Sequence, residues 1–253
     1  MNLVASLKPW ARVGGILALI YFGFMALLFF RQRSLLYHPG HRPRDTTLQP
    51  WMDQGRTIGF CRAFPTPSTI WLMLHGNAGQ AAGREYVLPR LNPQDSLYVL
   101  EYPGYGQREG HPSMASINLA AVEAYQVLRR NHPNKPICIL GESLGSGPAC
   151  VLSQETPPPD KITLVVPYDR LANVAASRFP IFPVRRMLWD AWDNIAALKH
   201  YRGPVDIFAA PEDEIIPFDC AKALAESVPT SKLVLIPGGH NDWSHQSQVQ
   251  LTR

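Results

Sequence analysis

Apolar positions recur along this chain in short uninterrupted runs separated by polar, helix-compatible stretches. The runs are "TIWLML" (Thr69–Leu74), "SLYVLEY" (Ser96–Tyr102), "ICIL" (Ile137–Leu140), "KITLVV" (Lys161–Val166), "PVDIFAA" (Pro204–Ala210) and "SKLVLIP" (Ser231–Pro237). Runs of this length, rich in β-branched residues and apolar at successive positions, predict strands covered on both faces. Between them, Ser113 to Arg130 predicts a helix, with Ser113 as its N-cap and Arg129 and Arg130 where cations favour a helix C-terminus. Phe218 to Ser227 predicts another. Strands alternating with helices predict an α/β fold, a mostly parallel sheet with helices on both faces.

Two segments break this alternation. Val13 to Phe30 carries no charge over 18 residues; as a helix it spans roughly 27 Å, close to the ~30 Å hydrocarbon core of a bilayer. The run ends in Phe29 and Phe30 and meets Arg31 and Arg33 at once, without the small-residue site at which a signal peptide is cleaved. A retained N-terminal transmembrane helix is therefore expected, dividing the chain into a membrane anchor at 1–34 and one folded domain at 35–253. Lys8 and Arg12 on one side, and Arg31, Arg33, Arg42 and Arg44 on the other, leave the membrane orientation open. The second segment, Leu171 to Tyr201, is aromatic-rich and interrupted by Pro180 and Pro183. It predicts a small insertion over the sheet, a lid at 171–201.

Composition narrows the function classes. At 253 residues with 46% hydrophobic side chains, the chain suits one sizeable core. Its net charge of +4 is modest and no basic cluster interleaves with aromatics, so nucleic acid is not an expected partner. Cys61, Cys138, Cys150 and Cys220 have neither a disulfide framework's density nor metal-ligand spacing. They read as free buried thiols, and no metal is expected. Gly104, Gly106 and Gly110 follow a strand, but the last gap is one residue too long for a dinucleotide-binding loop and Pro112 follows. No cofactor is expected.

The chemistry concentrates at strand ends. "GESLG", Gly141–Gly145, sets Ser143 between a buried strand and the helix-compatible stretch Leu144–Leu152. Such a turn strains the serine backbone, needs glycines where strand and helix approach, and presents a hydroxyl at a helix N-terminus. A serine hydroxyl becomes a nucleophile only when a base takes its proton and a carboxylate orients that base. In open α/β sheets such groups gather at the carboxyl ends of strands. There "PEDEIIP" offers Asp213 and "GGHND" offers His240. Asp169 in "PYD", Glu212 and Glu214 compete for the acid role, and His245 for the base. The turn "HGNAG", His75–Gly79, offers the Asn77 amide as an oxyanion donor beside the Leu144 amide, with His75 holding the turn.

Taken in order, "HGNAG", "EYPGYGQREGHPS", "GESLG", "PYD", "PEDEIIP" and "GGHND" resemble the alpha/beta-hydrolase superfamily over Tyr37 to Asp242. More narrowly, the chain resembles membrane-anchored alpha/beta-hydrolase domain-containing serine hydrolases of the serine aminopeptidase-like type. The resemblance implies the alpha/beta-hydrolase fold, Ser143 as nucleophile, Asp213 as acid, His240 as base and Asn77 and Leu144 as oxyanion amides. It also implies an ester or thioester substrate carrying an acyl or lipid group, met at the membrane. A peptidase or a catalytically idle binding module on the same fold are the alternatives. Two departures stand out: Pro103 replaces the arginine of many relatives, and only a short final helix is expected after His240.

Overall fold

The computed structural model describes residues 9–253. Lys8 and the rest of the proposed anchor before Pro9 lie outside the described residues.

Eight strands form one sheet: β1 (Gln49–Asp53), β2 (Arg56–Arg62), β3 (Ile70–Leu74), β4 (Ser96–Leu100), β5 (Ile137–Glu142), β6 (Lys161–Val165), β7 (Val205–Ala209) and β8 (Ser231–Leu235). Their spatial order is β8-β7-β6-β5-β3-β4-β2-β1. All six runs read from the sequence are strands of the parallel body. β1 and β2 pair antiparallel with each other, and β2 pairs antiparallel with β4. These two were missed because their residues alternate between exposed and buried rather than forming an apolar run.

Burial on both faces is visible residue by residue. Ile70, Leu72 and Leu74 of β3 join one apolar cluster, and Trp71 and Met73 join the other. The period of two sorts even an uninterrupted apolar run onto opposite faces. The first cluster packs under α2 (Met114–Asn131), α3 (Ser146–Val151) and α6 (Phe218–Ser227) through Ala120, Ala124, Ala149 and Leu224. The second lies under the 3-10 helix Ala81–Arg90 and the C-terminal segment, through Val87, Trp243, Val249 and Leu251. In place of a final helix, His240 is followed by a single 3-10 turn, Trp243–His245, and a bridge from Leu251 to Leu91.

The apolar N-terminal stretch is α1 (Pro9–Leu36), which ends two residues past the expected boundary at 34 and is long and apolar enough to cross a membrane. Its outer surface bears exposed Ile16, Leu17, Leu19 and Ile20. The insertion Leu171–Tyr201 holds α4 (Leu171–Arg178), a 3-10 turn at Val184–Arg186 and α5 (Asn194–Leu198). Its halves differ. Trp192, Leu198 and Tyr201 are buried in the first apolar cluster, whereas Ile181 and Trp189 are exposed. The outer half packs on α1: Tyr21 stacks on Phe182, Phe29 meets Trp189 edge-on, and Arg33 pairs with Asp190 at 2.9 Å.

The α2 N-cap forms as the sequence predicts. The Ser116 amide donates to Ser113 Oγ, and the Ser113 amide donates to Ser116 Oγ, both at 3.0 Å. Ser113→Ala removes an acceptor for one of four amides that lack intrahelical partners, at about 1 kcal/mol. In a thermal melt this variant is expected to unfold roughly 2–4 °C below the wild type.

Candidate active site

β5 runs into a tight elbow. Ser143 sits at φ +50°, a left-handed conformation that side chains with a Cβ adopt only when the surroundings hold them there. The surroundings do so through absent side chains. A Cβ on Gly141 would lie 2.7 Å from the Ala149 Cβ, and one on Gly145 would strike the backbone carbonyls of Leu74 and His75. Strand and helix therefore cross closely enough to fix the serine. The stretch after Ser143 is a 3-10 turn, Ser143–Gly145, before α3 begins, and Pro148 falls in the first turn of α3, where its missing amide costs no hydrogen bond.

His240 follows β8 and reaches back to this elbow. Its Nε2 lies 2.8 Å from Ser143 Oγ, and its Nδ1 lies 2.7 Å from Asp213 Oδ2. His240 and Ser143 are both buried. The other Asp213 oxygen accepts the amides of Ile215 and Ile216, each at 2.8 Å, so the carboxylate is locked within its own turn. The competing groups stand elsewhere. Asp169 is buried and accepts from Asn173 Nδ2; Glu212 and His245 are exposed. Glu214 has a different part, its Oε2 accepting the His240 amide at 3.1 Å.

The turn after β3 completes the surroundings. A Cβ on Gly76 would lie 3.7 Å from Ser143 Cβ, which places Asn77, the next residue, beside the elbow. Asn77 is anchored three ways: its Nδ2 donates to the Leu36 carbonyl at 2.8 Å, and its carbonyl accepts from Tyr105 Oη at 2.7 Å and from the His38 amide at 2.9 Å. Leu144 follows the serine within the 3-10 turn. His75 is fully buried, stacks on Tyr102 at 4.2 Å and contacts its neighbour's carbonyl through Nδ1, the turn-holding part expected of it. Gly104, Gly106 and Gly110 all have positive φ within one turn; α2 begins only at Met114, so they do not open a helix as a dinucleotide loop does. Cys61, Cys138, Cys150 and Cys220 are free and buried. Burial pushes the Cys138 and Cys220 thiols up to about 12, which leaves them protonated.

No family model matches the chain. Relatives and solved structures do. An uncharacterized protein of Mycobacterium tuberculosis is 29% identical over 249 residues, covering 91% of this chain and 88% of that one. Lysophosphatidylserine lipase ABHD12 of Danio rerio is 31% identical over 192 residues, 68% of this chain; the chain spans about half of that protein, 50% of its length. An esterase of Pyrococcus furiosus superposes with a TM-score of 0.63 at 13% identity, covering 82% of this chain and 95% of the esterase. This chain belongs to the alpha/beta-hydrolase superfamily.

Within this alpha/beta-hydrolase, two residues of the site were not found from the sequence. Glu142, beside the serine, is a buried carboxylate. Its oxygens accept from Tyr86 Oη at 2.6 Å, from Trp243 Nε1 at 3.0 Å and from the Gly76 amide at 3.0 Å, with Arg84 3.5 Å away. Burial pushes its carboxyl up, but Arg84 and these donors together outweigh burial and hold it below the usual value. One carboxylate thus joins the Ser143 elbow, the Asn77 turn and the segment after His240. A lone charge closing the apolar run "ICILGE" was the available signal. Asn194 is the other: its Nδ2 donates to the Tyr168 carbonyl and to Ser146 Oγ, which in turn donates to the Ser143 carbonyl. Nothing in the sequence around Asn194 announces this.

Glu142→Gln removes the charge and leaves Arg84 buried beside a neutral amide, a loss of roughly 3 kcal/mol. Because the folded carboxyl titrates below its usual value, its contribution is complete above pH ~4.3 and disappears as pH falls through the folded value. Melts from pH 7 down to pH 3 should show the gap between variant and wild type closing at the acid end. A gap of constant size would show that the charge does not stabilise the fold.

Proposed function

We propose that the chain is a serine hydrolase that cleaves an ester or thioester of an acyl or lipid substrate, held at a membrane by α1. The observation that carries this reading is the continuous line from Ser143 Oγ through the His240 ring to the Asp213 carboxylate, with contacts of 2.8 and 2.7 Å. The lysophosphatidylserine lipase among its relatives supports an ester substrate, and the esterase neighbour supports a fold suited to it.

The proposed reaction follows from that line. Ser143 Oγ attacks the acyl carbon as its proton passes to His240 Nε2, and the Asp213 carboxylate stabilises the imidazolium that forms. Negative charge develops on the carbonyl oxygen, where the Asn77 and Leu144 amides are its proposed donors. The tetrahedral intermediate collapses; His240 returns the proton to the departing alkoxide or thiolate, and an acyl-enzyme remains. Water then attacks the acyl carbon, giving its proton to His240, and collapse returns that proton to Ser143 and frees the acid.

A fluorophosphonate probe on membranes carrying the protein tests this. The wild type should label and Ser143→Ala should not; Asp213→Asn should lower ester turnover by about 10⁴-fold, because the imidazole loses the tautomer it needs. A folded wild type that takes no label would favour an idle binding module. Faster cleavage of an aminoacyl anilide than of a p-nitrophenyl acyl ester would favour a peptidase.

A further inference from the structure

A cavity of about 220 Å³ lies between the C-terminal turns of α1 and the outer half of the insertion. Leu28, Leu35 and Leu36 of α1 form one wall; Val174 and Phe179 of α4 and its cap, with Ile215, form the other. The polar residues around it are spent on the protein itself. Gln32 Nε2 donates to the Phe29 and Met187 carbonyls and its Oε1 accepts the Trp189 amide. Asp190 is paired with Arg33, and Arg178 donates to the Glu214 and Ile215 carbonyls. The remaining surface suits a hydrocarbon chain.

Two hydrogen bonds tie residues lining this cavity to residues of the proposed site. Leu36, on one wall, accepts from Asn77 Nδ2 at 2.8 Å; Ile215, on the other, donates its amide to Asp213 Oδ1 at 2.8 Å. The stretch of the insertion between the lining residues Phe179 and Val184 meets α1 within the proposed membrane span. Ile181 and Phe182 of the insertion contact α1 at Tyr21 and Phe24, inside the uncharged stretch Val13–Phe30. Ile181 is largely exposed there, as an apolar side chain bathed in lipid would be. The walls at Leu28 to Leu36 then straddle the edge of the hydrocarbon.

We infer that this cavity is the acyl-chain site, and that the membrane helix is part of the substrate-binding surface as well as an anchor. The occupant is the hydrocarbon tail of a long-chain acyl ester, which passes from bilayer to cavity without crossing water while its carbonyl reaches Ser143. The inference rests on the hydrolase reading above for the reaction, and on the geometry alone for the binding.

The full chain in lipid nanodiscs, assayed with p-nitrophenyl esters from acetyl to dodecanoyl, tests it. Each buried methylene should raise kcat/KM by about fourfold until the cavity is filled. Val174→Trp, which occupies the cavity, should lower the dodecanoyl-to-acetyl ratio of kcat/KM at least tenfold, and Val174→Ala, a gentle change, should move the preferred chain length upward. Ratios and preferred length unchanged in both variants would overturn the inference. Binding is read separately by irradiating Ser143→Ala with a diazirine-bearing palmitoyl ester: adducts should fall on Leu28–Leu36 or Leu171–Phe179 and disappear in the Val174→Trp background. Adducts confined to Val13–Phe24 would overturn it. Cavity adducts from a protein whose wild type hydrolyses no ester would sink the hydrolase reading and leave this one standing; hydrolysis indifferent to both Val174 variants would do the reverse.

Discussion

The crossing of β5 and α3 is the constraint on which the rest of this molecule is built. The Ser143 backbone occupies a left-handed conformation that is unfavourable in isolation, and it is held there because glycine at 141 and 145 lets the strand, the helix and the Leu74–His75 backbone come together. Everything chemical is arranged around that point. The Asn77 turn leaves β3, the neighbour of β5, at the same edge; Asp213 and His240 leave β7 and β8 farther along it. Glu142 ties the three regions through one buried carboxylate. Such a charge is tolerable only when its acceptor capacity is filled, so it acts as a registration pin: displacement of any partner exposes an unsatisfied charge to a dry interior.

The parallel body of the sheet was legible in the sequence because its strands are covered on both sides, and burial on both sides writes continuous apolar runs. The antiparallel edge was not, since β1 and β2 are partly solvent-facing and their pattern is weak. Ser143, Asp213 and His240 stand out from their places after the strands β5, β7 and β8, and the structure brings those three together while leaving Asp169 and His245 apart. Glu142 and Asn194 escaped notice for a physical reason. Their importance comes from partners contributed by distant segments, Trp243 to one and Ser146 and Tyr168 to the other, and local sequence does not record who arrives at a residue from elsewhere in the fold.

The insertion shows the same limit from another side. Its aromatic side chains have two destinations: Trp192 and Tyr201 are core, whereas Phe182 and Trp189 lean on α1. Composition reports that side chains will be buried against something. It does not say against what, and here the partner is the helix at the opposite end of the sequence.

Asp190 gives that partnership a mechanical character. Its carboxylate takes Arg33 from α1 and the Met114 amide from the start of α2, so one side chain of the insertion clamps α1 to the globular body. A hydrolase hung from a loose tether would tumble over the membrane and have to find its orientation afresh at every encounter. With α1 spanning a membrane as proposed, a clamped one would behave as a bracket on a wall, with sideways diffusion and rotation about the membrane normal as its remaining freedoms. The entropy of pointing the site at its substrate is then surrendered once, when the chain folds, and is not lost again at each turnover.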